Sequence, residues 1–299
     1  MSDRAPPLGP KGGVLLCADD FAMTQGVSRA IIELAEAGRL SATSAMTTSP
    51  HWPAHATWLA RARGRISCGL HLNLTLGAPL GPMPNFAAGR QFPGISEVTS
   101  RALTGRIDQD EVRAEVARQL AAFEVEMGFA PDHVDGHQHV HALPGVRSAV
   151  LDVLKARFDG RDRWPLLRDP ADAAWRITAR RRACAKAAML AALSSGFART
   201  LKHSGFETND GFAGVTDFDE RGVGADFAAA CRATGPRHMV MCHPGYVDEE
   251  LRRLDPVTGR RQAEYDILMQ GGFPNEIWRP QRSPVGEAVA WRDAWRGTA

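Results

Sequence analysis

Nowhere in the 299 residues do about eighteen apolar residues follow one another, so no segment is expected to span a bilayer as a helix. Cysteine is sparse: Cys17, Cys68, Cys184, Cys231 and Cys242 are scattered, odd in number and without a C-x-x-C pair. That usage fits free thiols in a reducing cytoplasm. The opening MSDRAPPLGPKGG is polar and rich in Pro and Gly. It has no apolar core of the kind a secretory signal needs, and none is expected. Charge of one sign is missing too. A net charge of +2, with basic residues mostly interspersed among acidic ones, leaves no nucleic-acid footprint. Neither G-x-G-x-x-G nor G-x-x-x-x-G-K-[ST] occurs, so the nucleotide-fold signatures are absent. With 44% hydrophobic residues, core material is ample for one large α/β domain or two small ones.

What the chain does have is a concentration of metal-ligand chemistry. Residues 131–141, PDHVDGHQHVH, carry His133, Asp135, His137, His139 and His141 at alternate positions. In an extended strand these share one face, while Val134, Gly136, Gln138 and Val140 point the other way. Neutral imidazole and carboxylate are standard ligands for divalent ions. Five alternate residues would span roughly 13 Å at ~3.3 Å per residue. With metal bonds of ~2 Å, one ion can touch only one or two of them. The remaining ligands must come from elsewhere in the chain.

Around this tract the pattern alternates strand and helix. Val14 to Ala18 reads as a strand buried on both faces, ending in Asp19-Asp20-Phe21. A helix follows over Gln25–Ala37, then strands at Ser41–Thr47 and Ile66–Thr75, with a helix over 54–62 between them. In the Ile66–Thr75 strand His71, Asn73 and Thr75 share a face. Residues 77–94 are a long Gly/Pro-rich loop. Asp108 caps a helix running to about Met127, and another helix covers about 145–158. Trp164 to Arg168 and His238 to Cys242 read as strands, with a helix over 218–233 and short helices in the charged final stretch. Residues 171–203 are read as a helical insertion packing on the domain, with the Arg180-Arg181-Arg182 cluster on a solvated face. A lid, or a helix meeting a membrane or a lipid-linked substrate, is the alternative.

Repeated strand–helix units predict an α/β fold with a parallel sheet. Polar residues gather at strand C-terminal ends (Asp19-Asp20, His71, His137, Arg168, His243), which favours a TIM-like (β/α) barrel over an open sheet. The expected organisation is a single domain over 13–285, a flexible segment over 1–12 and a tail over 286–299.

Four motifs then occur in order: Ala18-Asp19-Asp20-Phe21, Gly69-Leu70-His71-Leu72-Asn73-Leu74-Thr75, the histidine tract, and Met241-Cys242-His243-Pro244-Gly245-Tyr246. Together they resemble the YdjC-like (ChbG/HpnK) carbohydrate deacetylases over roughly residues 13–250. Ala22 departs from that family's Asp-Asp-Phe-Gly pattern. The resemblance implies a distorted or incomplete (β/α) barrel that removes N-acetyl groups from amino sugars with one divalent metal. Carried over position by position, Asp20, His71 and His137 become the metal ligands. Similarity to the broader polysaccharide deacetylases makes Asp19 the general base and His243 the general acid.

The implied ion is Mg²⁺, Zn²⁺, Mn²⁺, Ni²⁺ or Co²⁺, since an Asp/His₂ set suits several. The resemblance implies an acetylated amino sugar as substrate, free or linked to lipid or nucleotide, and a homodimer is compatible with the sequence.

Spacing alone leaves open which aspartate ligates, and whether the pair instead caps the next helix. Asp135 is expected to hold a ligand histidine through its N–H, with His137 as its partner. Asn73 and His139 are candidates for substrate or supporting contacts. Arg168 is read as binding sugar, orienting a carboxylate or making a surface salt bridge. Cys242 beside His243 suggests a Cys–His nucleophile, but strand alternation turns it away and buried packing is expected. Two other readings stand. One is a different barrel metallohydrolase, an amidohydrolase or phosphoesterase, although those commonly pair two metals or open with His-x-His on the first strand. The other is a non-catalytic sugar- or metal-binding protein, which needs neither an acid nor a base.

Overall fold

The computed structural model describes residues 13–161, 163–279, 289 and 291. The apolar run becomes β1 (Leu15–Phe21), and α1 (Gln25–Glu36) follows, capped by the Thr24 side chain on Val27 N. Thr24 takes the capping role, which frees Asp19 and Asp20 for the site. Next come β2 (Ala42–Ala45), α2 (Trp52–Ala62) and β3 (Ser67–Leu72). The stretch before the next strand holds α3 (Ile95–Leu103) and α4 (Gln109–Met127). Asp108 caps α4 on Glu111 N, and Gly128 at φ 72° ends it. Then come β4 (His133–Gly136), α5 (Val146–Phe158) and a two-residue β5 (Leu166–Leu167). Three short helices, α6 (Ala174–Arg180), α7 (Cys184–Leu193) and α8 (Phe197–His203), lead to β6 (Phe212–Ala213). The described chain continues through α9 (Val223–Ala230), β7 (Met239–Cys242), α10 (Glu249–Leu254) and α11 (Gly259–Met269).

Every strand pairing in the sheet is parallel, and the order is β5-β4-β3-β2-β1-β7-β6. This is the order of a ring cut between β5 and β6, a curled sheet with helices flanking it. Residues 207–209 lie at the cut: Leu167 N donates to Glu207 O, and Asn209 Nδ2 donates to Asp169 O.

The sheet's two faces differ. Leu16, Ala18, Leu70, Leu72, Val134 and Val240 belong to the large core that includes the helices, with Trp52 stacked on Phe123 at 5.6 Å. The alternate residues face inward. Leu15, Cys17, Ala42, Leu166, Met239 and Met241 form a second, smaller apolar cluster with Val289 and Trp291. Both of those last residues fall in the expected tail and both are buried. The expected flexible segment 1–12 lies outside the described residues. No helix among the described residues is long and apolar enough to cross a membrane.

The segment over 171–203 is helical, but its basic cluster is not uniformly solvated. Arg180 is buried against Asp172 and Phe212 O, whereas Arg181 and Arg182 are exposed.

A candidate metal and catalytic centre

The inward face turns polar above its apolar floor, because the period-two pattern of each strand carries a polar residue there. β1 brings Asp19 after Leu15 and Cys17, β2 brings Ser44, β3 brings His71 and β4 brings His133 and Asp135. Two adjacent aspartates would face opposite ways in a regular strand. Here the β1–β2 register shifts between Ala18 and Phe21, and Asp20 adopts φ 67°. That bulge turns both carboxylates toward one site. Ala22, at the position where the family pattern has glycine, sits at φ 72°, the left-handed conformation glycine adopts without steric cost.

Asp20, His71 and His137 offer donor atoms that all lie within 4.8 Å of one another. Asp20 Oδ1 is 3.1 Å from His71 Nε2 and 3.0 Å from His137 Nδ1. Two donors at ~2 Å from one tetrahedral ion stand about 3.3 Å apart, so the spacing fits. The electronics fit too. His71 Nδ1 lies 2.7 Å from Asp135 Oδ1, a bond that needs the proton on Nδ1. The lone pair of Nε2 then points at a carboxylate oxygen, and Nε2 is buried without an aligned hydrogen bond. Two facing acceptors call for a cation between them. Without a metal, a proton fills that role. Burial opposes the charging of His71, but Asp135 and Asp20 outweigh it and push its pKa up to about 10. Asp20 lies well below the usual carboxylate range, since Arg261 and His137 overcome the opposing effect of burial. Arg261 Nη2 donates to Asp20 Oδ2 at 2.6 Å and to Asp255.

Arg168 is fully buried at the centre of the site. Its Nη1 and Nη2 each donate to one oxygen of Asp19 at 2.7 Å, and Nη2 also lies 2.5 Å from Asp135 Oδ2. The fork fixes the Asp19 carboxylate plane while leaving lone pairs on both oxygens. Ser44 Oγ adds a bond to Asp135 and lies 3.0 Å from His71 Nδ1. His243, just past β7, is half-buried. Its backbone N–H donates to Glu264 Oε2 on α11, and Arg260 holds the other Glu264 oxygen at 2.7 Å.

The histidine tract does not stay extended. β4 stops at Gly136, and residues 137–142 form a tight turn with Gln138 and His139 in the left-handed region. The expectation of one continuous imidazole face is therefore corrected, and the tract's histidines diverge. His137 meets Asp20. His133 packs between Ser67 Oγ and Cys17 Sγ, in space that a Cβ on Gly69 would fill. His141 Nε2 donates to Arg168 O, and His139 lies edge-on to Phe212.

Asp135 holds a histidine, but it is His71 rather than His137. Asn73 bonds to Thr48 and to the backbone of Thr75 and Leu76, so its side chain closes its own loop. Arg168 makes no surface bridge. Cys242 is buried, and burial holds its thiol pKa well above the ordinary value. Ser44, Glu264 and Arg261 are not among the residues the sequence pattern singles out. Ser44 alone had a signal, its place on the inward face of β2.

Burial pushes His141 and His238 down to about 4 from the ordinary 6.5. Both are neutral in the fold, whereas the unfolded chain takes up their protons below 6.5. Their contribution is complete above pH 6.5 and disappears as pH falls toward 4. Asp169, raised by burial to about 6, acts in the opposite sense, as does His71 between pH 7 and 6.5, but burial lowers His55, His133 and His139 as well, so the lowered histidines outnumber them. The Tm is therefore expected to fall from pH 7 to pH 5, and a His141→Asn/His238→Gln variant should show a shallower fall. A flat profile in the wild type would contradict the burial argument.

A family model described as YdjC-like protein matches residues 13–277. A carbohydrate deacetylase of Homo sapiens is 32% identical over 251 residues, covering 79% of this chain and 76% of the human protein. A chitooligosaccharide deacetylase of Proteus mirabilis is 26% identical over 277 residues, covering 88% of this chain and 93% of its own. Among solved structures, a protein of Enterococcus faecalis named for cellobiose-phosphate cleavage superposes with TM-score 0.68 at 20% identity. That match covers 89% of this chain and 97% of the other, and it supports the fold.

Proposed function

Because the chain belongs to the YdjC-like family, we propose that it is a metal-dependent hydrolase that removes the N-acetyl group from an amino sugar. The observation that carries this reading is the convergence of Asp20, His71 and His137 at the C-terminal ends of β1, β3 and β4. Held by those three residues, a divalent ion would polarise the acetyl carbonyl and acidify a water. Asp19, locked in plane by Arg168, is positioned to take a proton from the attacking water as general base. His243, when protonated, supplies the proton that the departing amine needs. Asp135 keeps the proton of His71 on Nδ1, which leaves Nε2 as the donor atom. Arg261 steadies the far oxygen of Asp20. The five free thiols fit a reducing compartment, the cytoplasm.

Purified protein stripped with chelator should release no acetate. Readdition of one of Mg²⁺, Mn²⁺, Zn²⁺, Ni²⁺ or Co²⁺ should restore release from an N-acetylated sugar, free, lipid-linked or nucleotide-linked, with about one ion bound per chain. Failure of every metal across chitooligosaccharides and linked amino sugars would overturn the reading. Two ions per chain would favour another class of metallohydrolase.

A further inference from the structure

Phe218 stands out among the residues around His243. It is 43% exposed, yet its backbone lies at φ 62°, where a bulky side chain is disfavoured. The conformation is held from several sides. Phe218 N donates to Thr216 Oγ1, Lys186 Nζ on α7 donates to Thr216 O, and Lys186 also pairs with Asp217 at 2.9 Å. Lys186 Nζ lies over the Phe218 ring, 5.5 Å from its centre. The ring meets His243 edge-on, with centroids 6.2 Å apart and planes at 66°. An aromatic residue left 43% exposed, in strained backbone and tethered beside an imidazole, forgoes part of what full burial would contribute. Strain of this kind points to a contact made with something else.

We infer that Phe218 is a substrate-positioning residue, the platform on which the sugar ring rests while its acetamido nitrogen faces His243. The inference rests on the deacetylase reading. A pyranose presents axial C–H groups on one face and hydroxyls around its rim, so a flat aromatic surface matches the face while water or polar side chains serve the rim. For His243 to protonate the nitrogen on the ring, the sugar must lie within about one ring's width of the imidazole, and Phe218 occupies that distance. Lys186 links the platform to α7, so the helix behind it sets its height.

The test compares wild type, Phe218→Leu and Phe218→Trp in acetate release from chitooligosaccharides of increasing length, each holoenzyme carrying its full metal content. Phe218→Leu should raise KM about tenfold with kcat changed less than about threefold, and Phe218→Trp should restore KM. The pH profile of kcat should not move. Binding of the deacetylated oligosaccharide, measured by calorimetry, should weaken in parallel in Phe218→Leu, a readout independent of the chemistry. An unchanged KM and product affinity would overturn the inference. So would a loss confined to kcat with a shifted pH profile, because Phe218 would then act on His243 rather than on the sugar. Absence of acetate release by the wild type would instead remove the deacetylase reading, and this inference with it.

Discussion

Asp19→Asn is expected to lower kcat/KM about a thousandfold while leaving the metal content near one ion per chain. Asp19 and Asp20 are neighbours in sequence, yet the bulge in β1 gives them different partners. Both oxygens of Asp19 are 2.7 Å from Arg168, whereas Oδ1 of Asp20 faces His71 Nε2 and His137 Nδ1. An amide at position 19 keeps the shape and one acceptor for Arg168 but cannot take a proton at neutral pH. Asp20→Asn should be equally inactive for another reason: it replaces the anionic donor of the Asp/His₂ set, and the ion should be lost. Activity alone does not separate the two variants, but metal analysis on the purified proteins does. Metal lost from Asp19→Asn and kept by Asp20→Asn would reverse the assignment.

Arg168→Met should be the most damaging single change to stability. The guanidinium is the shared cation of Asp19 and Asp135, and all three side chains are buried. Removing it leaves the buried Asp19 without its charge partner and Asp135 with only His71 and Ser44, which costs about 3–5 kcal/mol when a buried pair is broken. Asp135 also orients His71, so metal affinity should fall together with stability. Arg168→Lys should not rescue either property, because an ammonium cannot hold Asp19 through two parallel bonds. Denaturant unfolding of metal-free wild type and variants provides the measurement. A loss below about 1 kcal/mol for Arg168→Met would mean that water or another cation already shields the carboxylates.

Elements governed by local chemistry were legible in the sequence. The β1 run, α1 with its apolar face, and α4 between the Asp108 cap and Gly128 follow from periodicity and capping. The inward face of β3 could also be read, because alternation continues to His71. Local signals failed where the backbone changes hand. Nothing in HVDGHQHVH marks Gln138 and His139 as left-handed, so the pattern predicts a strand continuing past Gly136 and pairs Asp135 with His137, where the fold pairs it with His71. β6, only two residues long, is fixed by its neighbour β7 rather than by any pattern of its own. Arg261 lies in a charged stretch that looks like surface, and its bond to Asp20 spans nearly the whole chain. Arg180 misled in the same way, since its basic neighbours suggested solvent while Asp172 waited inside the fold.

The divergence of the histidine tract also bears on how the proposed ion would be acquired during folding. In the unfolded chain, imidazoles as closely spaced as His133, His137, His139 and His141 would be able to chelate Zn²⁺ or Ni²⁺ locally. The proposed site would not compete at that stage, because Asp20, His71 and His137 come together only when β1, β3 and β4 have joined the sheet. Ion bound to the tract must be released for His133 and His141 to enter the interior. A large excess of metal during refolding is therefore expected to slow recovery of the folded chain, whereas the same ion added after folding meets the assembled site, and refolding rates measured with and without the ion test this. The residues that draw most attention in the sequence are, early in folding, competitors of the site that only one of them joins.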